Sequence, residues 1–279
     1  MMYPLMRLFT CYCLGLQYWL IGSLSAKAHE REAPATSIVG QSVQILQGQP
    51  LSGFTQTTET RTVKSFHVPK LPVIFTKPSD LIAGPLEPIT VHHDAQSELD
   101  HEGELCFVIS KDCKDVPEAE ASQYILGYVV GNDLSARNYI PHEVSRFQMS
   151  YGKSFDEFAP LGPYVVSPAI VGDPHNLRLT TKVNNKTRRD ATTSDMIWYI
   201  PRLIAQLTLG RTVRAGTVVM MGTPSGVGWF MQPQGYVQSG DIVEVSIEKL
   251  GSIRNEIMFI CLLLFSVLST CMSLRYQAR

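Results

Sequence analysis

The chain has almost no net charge: 24 Lys and Arg stand against 25 Asp and Glu in 279 residues. No basic face follows, and nucleic acid is excluded as an expected partner. Cysteine is scarce in the body of the chain. Of the six present, Cys11, Cys13, Cys261 and Cys271 lie in the apolar ends, which leaves Cys106 and Cys113 and neither a disulfide framework nor a zinc spacing. Repeats and low-complexity linkers are also missing. The Gly-rich stretch 221–228 lacks the lysine of a phosphate loop and the GxSxG spacing of a serine hydrolase elbow. The length suits one large domain or two small ones, with ample chain for a hydrophobic core.

Both ends are unusual. Residues 8–24 form an apolar run behind Arg7, and Ala26, Lys27 and Ala28 follow it, a pattern that mimics a secretory signal. Residues 257–274 are mostly apolar and are closed by Arg275 and Arg279, near the lower length limit for a membrane span. Each end also reads as a buried or irregular terminus. The expected division is a hydrophobic segment at 1–30 (signal, anchor or artefact), a variable polar lead-in at 31–65, a catalytic domain at 66–256 and a dispensable hydrophobic tail at 257–279. A cytoplasmic location is expected, with membrane association through the ends as the alternative.

The body reads as strands with few helices. Apolar segments predict strands at 72–76, 105–110, 128–132, 177–183, 218–221 and 242–248. Asn184 and Asn185 supply a hairpin turn. Thr192 to Asp195 offers capping side chains for a helix beginning near Met196, with Ile197, Ile200, Ile204 and Leu207 on one face, a kink at Pro201 and a stop at Gly210. The class is α+β with mixed sheets.

Chemistry concentrates in DHEGELCFVIS (100–110) and GNDLSAR (131–137). Glu102 and Glu104 are two apart on a strand, so their carboxylates share a face at about 7 Å along the backbone and repel unless a cation lies between them. An exposed acidic edge is the bland alternative. Apolar residues on both faces of the strand argue for burial, where acids need a partner. With Asp133, the three carboxylates form a hard oxygen set that suits Mg²⁺, Mn²⁺ or Ca²⁺ rather than zinc. His92, His93 and His101 read as solvated loop positions, and His101 as facing away from Glu102. Lys153 falls in an aromatic, Gly- and Pro-rich loop, where it either faces a substrate oxygen or reaches solvent. Gly222 and Thr223 sit in a turn that either presents amides and a hydroxyl to an anion or simply closes the sheet.

In this order, the stretches PVIFTKPSDL, LDHEGELCFVISKDCKDVPEAEA, ILGYVVGNDLSARN, SYGKSFDEFAPLGPYVVS, NLRLTTKVNN, MMGTPSGVG and SGDIVEVSIEKLGSIRN resemble the C-terminal catalytic domain of the fumarylacetoacetate hydrolase family. The resemblance spans roughly residues 66–255. It implies a mixed β-sheet roll, a homodimer, and a divalent metal held by Glu102, Glu104 and Asp133. It also implies Lys153 as the catalytic residue, and Arg137, Gly222 and Thr223 as substrate contacts. The activity it implies is hydrolysis of a carbon-carbon bond in a small β-diketo or α-keto acid. Keto-enol isomerisation or decarboxylation of an oxaloacetate-like acid is the enzymatic alternative, and a non-catalytic family member is the third reading.

Two departures from the family pattern bear on that choice. TETRTVK (58–64) runs almost directly into FHVPKLPVIFTKP (66–78), so the family's GxNYxxHxxE segment, whose His and Glu form a lid and activate water, is missing. His67 reads as structural rather than as a replacement base. The family's glutamine three residues after the arginine is replaced by Ile140.

Overall fold

The structure is a computed structural model that describes residues 11–15 and 70–260. Its architecture follows from strand β6 (Gly103–Ile109), which is buried at every position. A strand is apolar on both faces only when both are covered. Leu105, Phe107 and Ile109 point into the main core together with Leu179, Val245 and Ile253, and Cys106 and Val108 point the other way, into a smaller cluster with Phe75, Val129 and Met220.

β6 lies at the centre of a seven-stranded sheet of order β2-β1-β12-β6-β7-β9-β3. Its members are β1 (Cys11–Gly15), β2 (Val73–Lys77), β3 (Ile82–Ala83), β7 (Ile125–Asn132), β9 (Ala159–Val166) and β12 (Val218–Met220). A five-stranded sheet, β11-β10-β13-β14-β4, packs against it. It is built from β4 (Ile89–Val91), β10 (Arg178–Val183), β11 (Lys186–Thr192), β13 (Ile242–Ile247) and β14 (Gly251–Phe259). Two short strands, β5 (Leu99–Asp100) and β8 (Ser135–Ala136), pair with each other. Parallel pairs (β1 with β12, β3 with β9, β4 with β14) occur among antiparallel ones, so the sheets are mixed and the class is α+β.

Gly103 shows how tightly the two sheets meet. A Cβ there would lie 2.5 Å from Thr181 Oγ1 and 2.8 Å from Val245. Only glycine allows that approach. The hairpin expected at Asn184 and Asn185 joins β10 to β11, with both residues at positive φ.

The structure corrects several expectations. The helix begins at Ile200 rather than near Met196, and residues 193–195 form a 3₁₀ turn capped by Thr192. Pro201 therefore stands in the first helical turn, where a missing N–H costs nothing, rather than in the helix interior where it would kink it. The stretch around Lys153 is a short helix (Met149–Lys153) followed by β9, rather than a loop. Residues 11–15 of the signal-like N-terminal segment form β1, between β2 and β12. The boundary expected at residue 256 falls inside β14, where Ile257 is fully buried and pairs with Ile89. The 58–64 segment and His67 lie outside the described residues.

Candidate active site

The β6-β7 register places Glu104 opposite Gly131 and Gly103 opposite Asn132. Asp133, one residue beyond the end of β7, is thereby carried to the side of Glu102, with its N–H donating to Glu102 O at 2.8 Å. Glu102, Glu104 and Asp133 are all buried, and one carboxylate oxygen from each lies within 4.8 Å of the others. The structure brings together the three residues expected to share a metal.

Their partners differ. Glu102 is bound by Lys153 Nζ at 2.9 Å and by Arg137 Nη2 at 2.6 Å. Burial alone would raise its pKa, but these two cations more than offset that and hold it at about 2. Asp133 receives Lys77 Nζ on one oxygen and Lys153 Nζ on the other, both at 2.6 Å. Glu104 has no such cation. Gly222, at φ +85, donates its N–H to Glu104 Oε2 at 2.6 Å, and Oε1 is buried with no hydrogen-bond partner. Burial, then repulsion from Asp133 and Glu102, pushes its pKa well above the usual carboxylate range.

That orphaned oxygen tests whether a cation belongs here. Of the six carboxylate oxygens of the trio, Glu104 Oε1 alone lacks a donor among the described residues. It is an all-oxygen set with one unsatisfied buried acceptor, and a hard divalent ion fits it.

Lys153 is 3% exposed. Burial pulls its pKa down, but Asp133 and Glu102 more than reverse this and raise it, so the ammonium form is fixed. Arg137 is buried and lies 5.1 Å from the Trp229 ring. Thr223 is placed differently from a simple substrate donor: its hydroxyl donates to Gly103 O at 3.0 Å and accepts from Arg189 Nη1 at 2.6 Å.

Three residues were missed from sequence. Lys77, fully buried at the end of β2, carries a signal in its alternation: Phe75 and Lys77 are the inward positions of VIFTK. Asp100 shares the parity of Glu102 and Glu104 and binds Arg137. Arg189 braces the 223–225 turn through Thr223 and Ser225, and nothing in its polar strand KTRRDAT marks it. His101 corrects another expectation. It is fully buried, not solvated, and burial lowers its pKa to about 4.

Fold and site together define a class: a mixed-sheet α+β domain that gathers three carboxylates, two lysines and an arginine beside its central strand. Residues 49–258 match the family model described as fumarylacetoacetate (FAA) hydrolase C-terminal, and the chain belongs to that family. Enzymes of the family are generally divalent-metal dependent. Among curated relatives, the mitochondrial oxaloacetate tautomerase fahd2 of Xenopus laevis is 39% identical over 191 residues, covering 68% of this chain and 59% of that protein. The oxaloacetate tautomerase YisK of Bacillus subtilis is 35% identical over 190 residues, covering 68% and 62%. The chain thus spans about three fifths of the length of these two relatives. The solved 5-carboxymethyl-2-hydroxymuconate delta-isomerase of Mycobacterium smegmatis superposes with a TM-score of 0.67 at 32% identity, covering 90% of this chain and 79% of that one.

Proposed function

We propose that the chain is a divalent-metal-dependent keto-enol isomerase of oxaloacetate-like acids. The observation that carries the reading is the fixed ammonium of Lys153, 2.9 Å from Glu102 and 2.6 Å from Asp133, in a chain whose relatives bear the name oxaloacetate tautomerase. Glu102, Glu104 and Asp133 would hold Mg²⁺ or Mn²⁺, which supplies Lewis-acid stabilisation of an enolate when bound.

The chain's own groups supply fixed charge and orientation. Lys153 is held in its charged form, so it gives a hydrogen bond and fixed positive charge to the oxygen that gains electron density. It is not a base in this state. Arg137 binds and orients a substrate carboxylate. Tautomerisation moves one proton between carbon and oxygen and consumes no water. Carbon-carbon hydrolysis, the leading expectation from sequence, also requires a positioned base to activate water, a factor of typically about 10²–10⁴. The relatives' names support isomerisation at least as well as hydrolysis.

The test is ketonisation of enol-oxaloacetate, followed by loss of enol absorbance with Mg²⁺ present, beside cleavage of an acylpyruvate. Metal-dependent ketonisation is expected, falling at least about 10²-fold in Lys153→Ala, with acylpyruvate cleavage near background. Robust acylpyruvate turnover without ketonisation would return the reading to hydrolysis.

A further inference from the structure

Pairing of β5 with β8 sets Asp100 opposite Ser135 and Leu99 opposite Ala136, and Arg137 follows at once, its N–H bound to Glu98 O at 3.0 Å. Asp100 is fully buried. A buried carboxylate persists only with donors around it, and this one has five. Oδ1 accepts from the N–H groups of His101 at 2.8 Å and Gly228 at 2.7 Å. Oδ2 accepts from Trp229 N–H at 3.1 Å, Arg137 Nε at 3.0 Å and Arg137 Nη2 at 2.9 Å. The turn reaches this carboxylate because position 228 is glycine: a Cβ there would sit 2.5 Å from Gly235 O and 2.9 Å from Asp100 Oδ1.

Arg137 is left with one free direction. Nε and Nη2 are taken by Asp100 and Glu102, Trp229 lies by one face, and Nη1 makes no hydrogen bond among the described residues. A guanidinium held by two carboxylates on adjacent edges keeps its plane, and its remaining edge has a fixed aim.

We propose that Asp100 is a positioning residue: its carboxylate fixes the plane of Arg137 and ties it to the 228–229 backbone, aiming the free Nη1 edge at a carboxylate of the substrate. This rests on the keto acid reading above and on Arg137 as its substrate contact. Asp100 acts through Arg137 and touches no reacting atom. In Asp100→Asn the remaining oxygen still serves the His101 and Gly228 N–H groups, while the new amide sets donors against Arg137 and Trp229. The guanidinium loses its anchor with little change in volume.

The experiment uses the full chain loaded with Mn²⁺ and calorimetric binding of oxalate, a dicarboxylate probe that needs no turnover. Asp100→Asn and Arg137→Ala should each weaken oxalate binding by roughly 10–100-fold, the scale of a lost charged hydrogen bond. The double variant should bind within about threefold of Arg137→Ala, because the two act as one unit. Mn²⁺ affinity of Asp100→Asn should stay within about threefold of wild type, since none of the trio is altered. Losses that multiply in the double variant, wild-type binding by Asp100→Asn, or no oxalate binding by the wild type would each overturn the proposal.

Arg137→Lys keeps the test decisive if Asp100→Asn does not fold. A single ammonium cannot hold the two-edged geometry, so binding as weak as in Arg137→Ala is expected, and wild-type affinity would refute orientation by Asp100. A wild type that binds oxalate with this coupling but does not ketonise enol-oxaloacetate would sink the proposed function and leave the positioning role standing.

Discussion

Glu104→Gln separates the metal from the fold because its effects should have opposite sign with and without the ion. In the metal-free protein, Glu104 lies beside Glu102 and Asp133 with one oxygen unpartnered. Glutamine keeps the acceptor for Gly222 N–H and turns the other arm from an acceptor into a donor facing carboxylates. In chelator the variant should therefore melt at or above the wild type. With free Mg²⁺ at about 100 times its Kd, binding to the folded state adds about 2.7 kcal/mol. For a domain of this size each kcal/mol moves Tm by about 2–4 °C, so the wild type should gain roughly 5–10 °C. Glu104→Gln, with one ligand lost, should gain under about 2 °C at the same ion concentration. Thermal melts in chelator and in millimolar Mg²⁺ read both signs. Equal shifts in the two proteins would refute the metal site, and a lower melting point for the variant in chelator would refute the repulsion argument.

Two further outcomes test parts of the fold. His175 accepts the N–H of Ile200 on Nε2 at 3.2 Å, and burial lowers its pKa from the ordinary value despite Asp173; its stabilisation is therefore full above about pH 6.5 and lost as pH falls through the depressed folded value. Urea midpoints should decline from about pH 6.5 downward, and His175→Gln, whose amide oxygen still accepts, should flatten that decline; an unchanged slope would clear His175 of the effect. Ile257 is fully buried on β14, so Ile257→Ala should cost about 2–5 kcal/mol by urea unfolding, and a loss under about 1 kcal/mol would restore the idea of a dispensable tail from that residue on.

Strands that bury two faces, or strictly alternate, were legible because burial writes the period into the sequence: β6, β7, β10, β12 and β13 fall within a few residues of their expected bounds. β9 was hidden because Pro160, Gly162 and Pro163 are turn residues by propensity, and tertiary pairing with β7 and β3 overrides that. β11 was hidden by its polarity, which suits the edge of a sheet. β14 was split by reading its apolar end with the hydrophobic residues that follow it. In the site, Glu102 and Glu104 were legible from spacing, and Asp133 was added by the resemblance of GNDLSAR to the family. Lys77 and Asp100 had only their parity to mark them, and because a lone charge beside a strand usually reaches water, contacts from distant parts of the chain were needed to show that these two do not.

The alternation of residues 100–104 makes the site and the core a single constraint. Asp100, Glu102 and Glu104 take one parity, facing Arg137, Lys153 and Gly222. His101 and Gly103 take the other, with Gly103 wedged against Thr181 and Val245 and His101 fully buried. A slip of one residue against β7 would exchange the two sets, putting histidine and glycine into the site and driving carboxylates into the contact between sheets. What forbids the slip is the apolar remainder of β6, since Leu105 and Phe107 fill the main core and Cys106 and Val108 the smaller cluster. The Ile140 position follows the same logic. Its fully buried side chain lies 2.9 Å from where a Gly152 Cβ would stand, so it packs the helix that ends in Lys153. At this position the chain packs the helix that carries Lys153, where the pattern it resembles has a polar substrate contact.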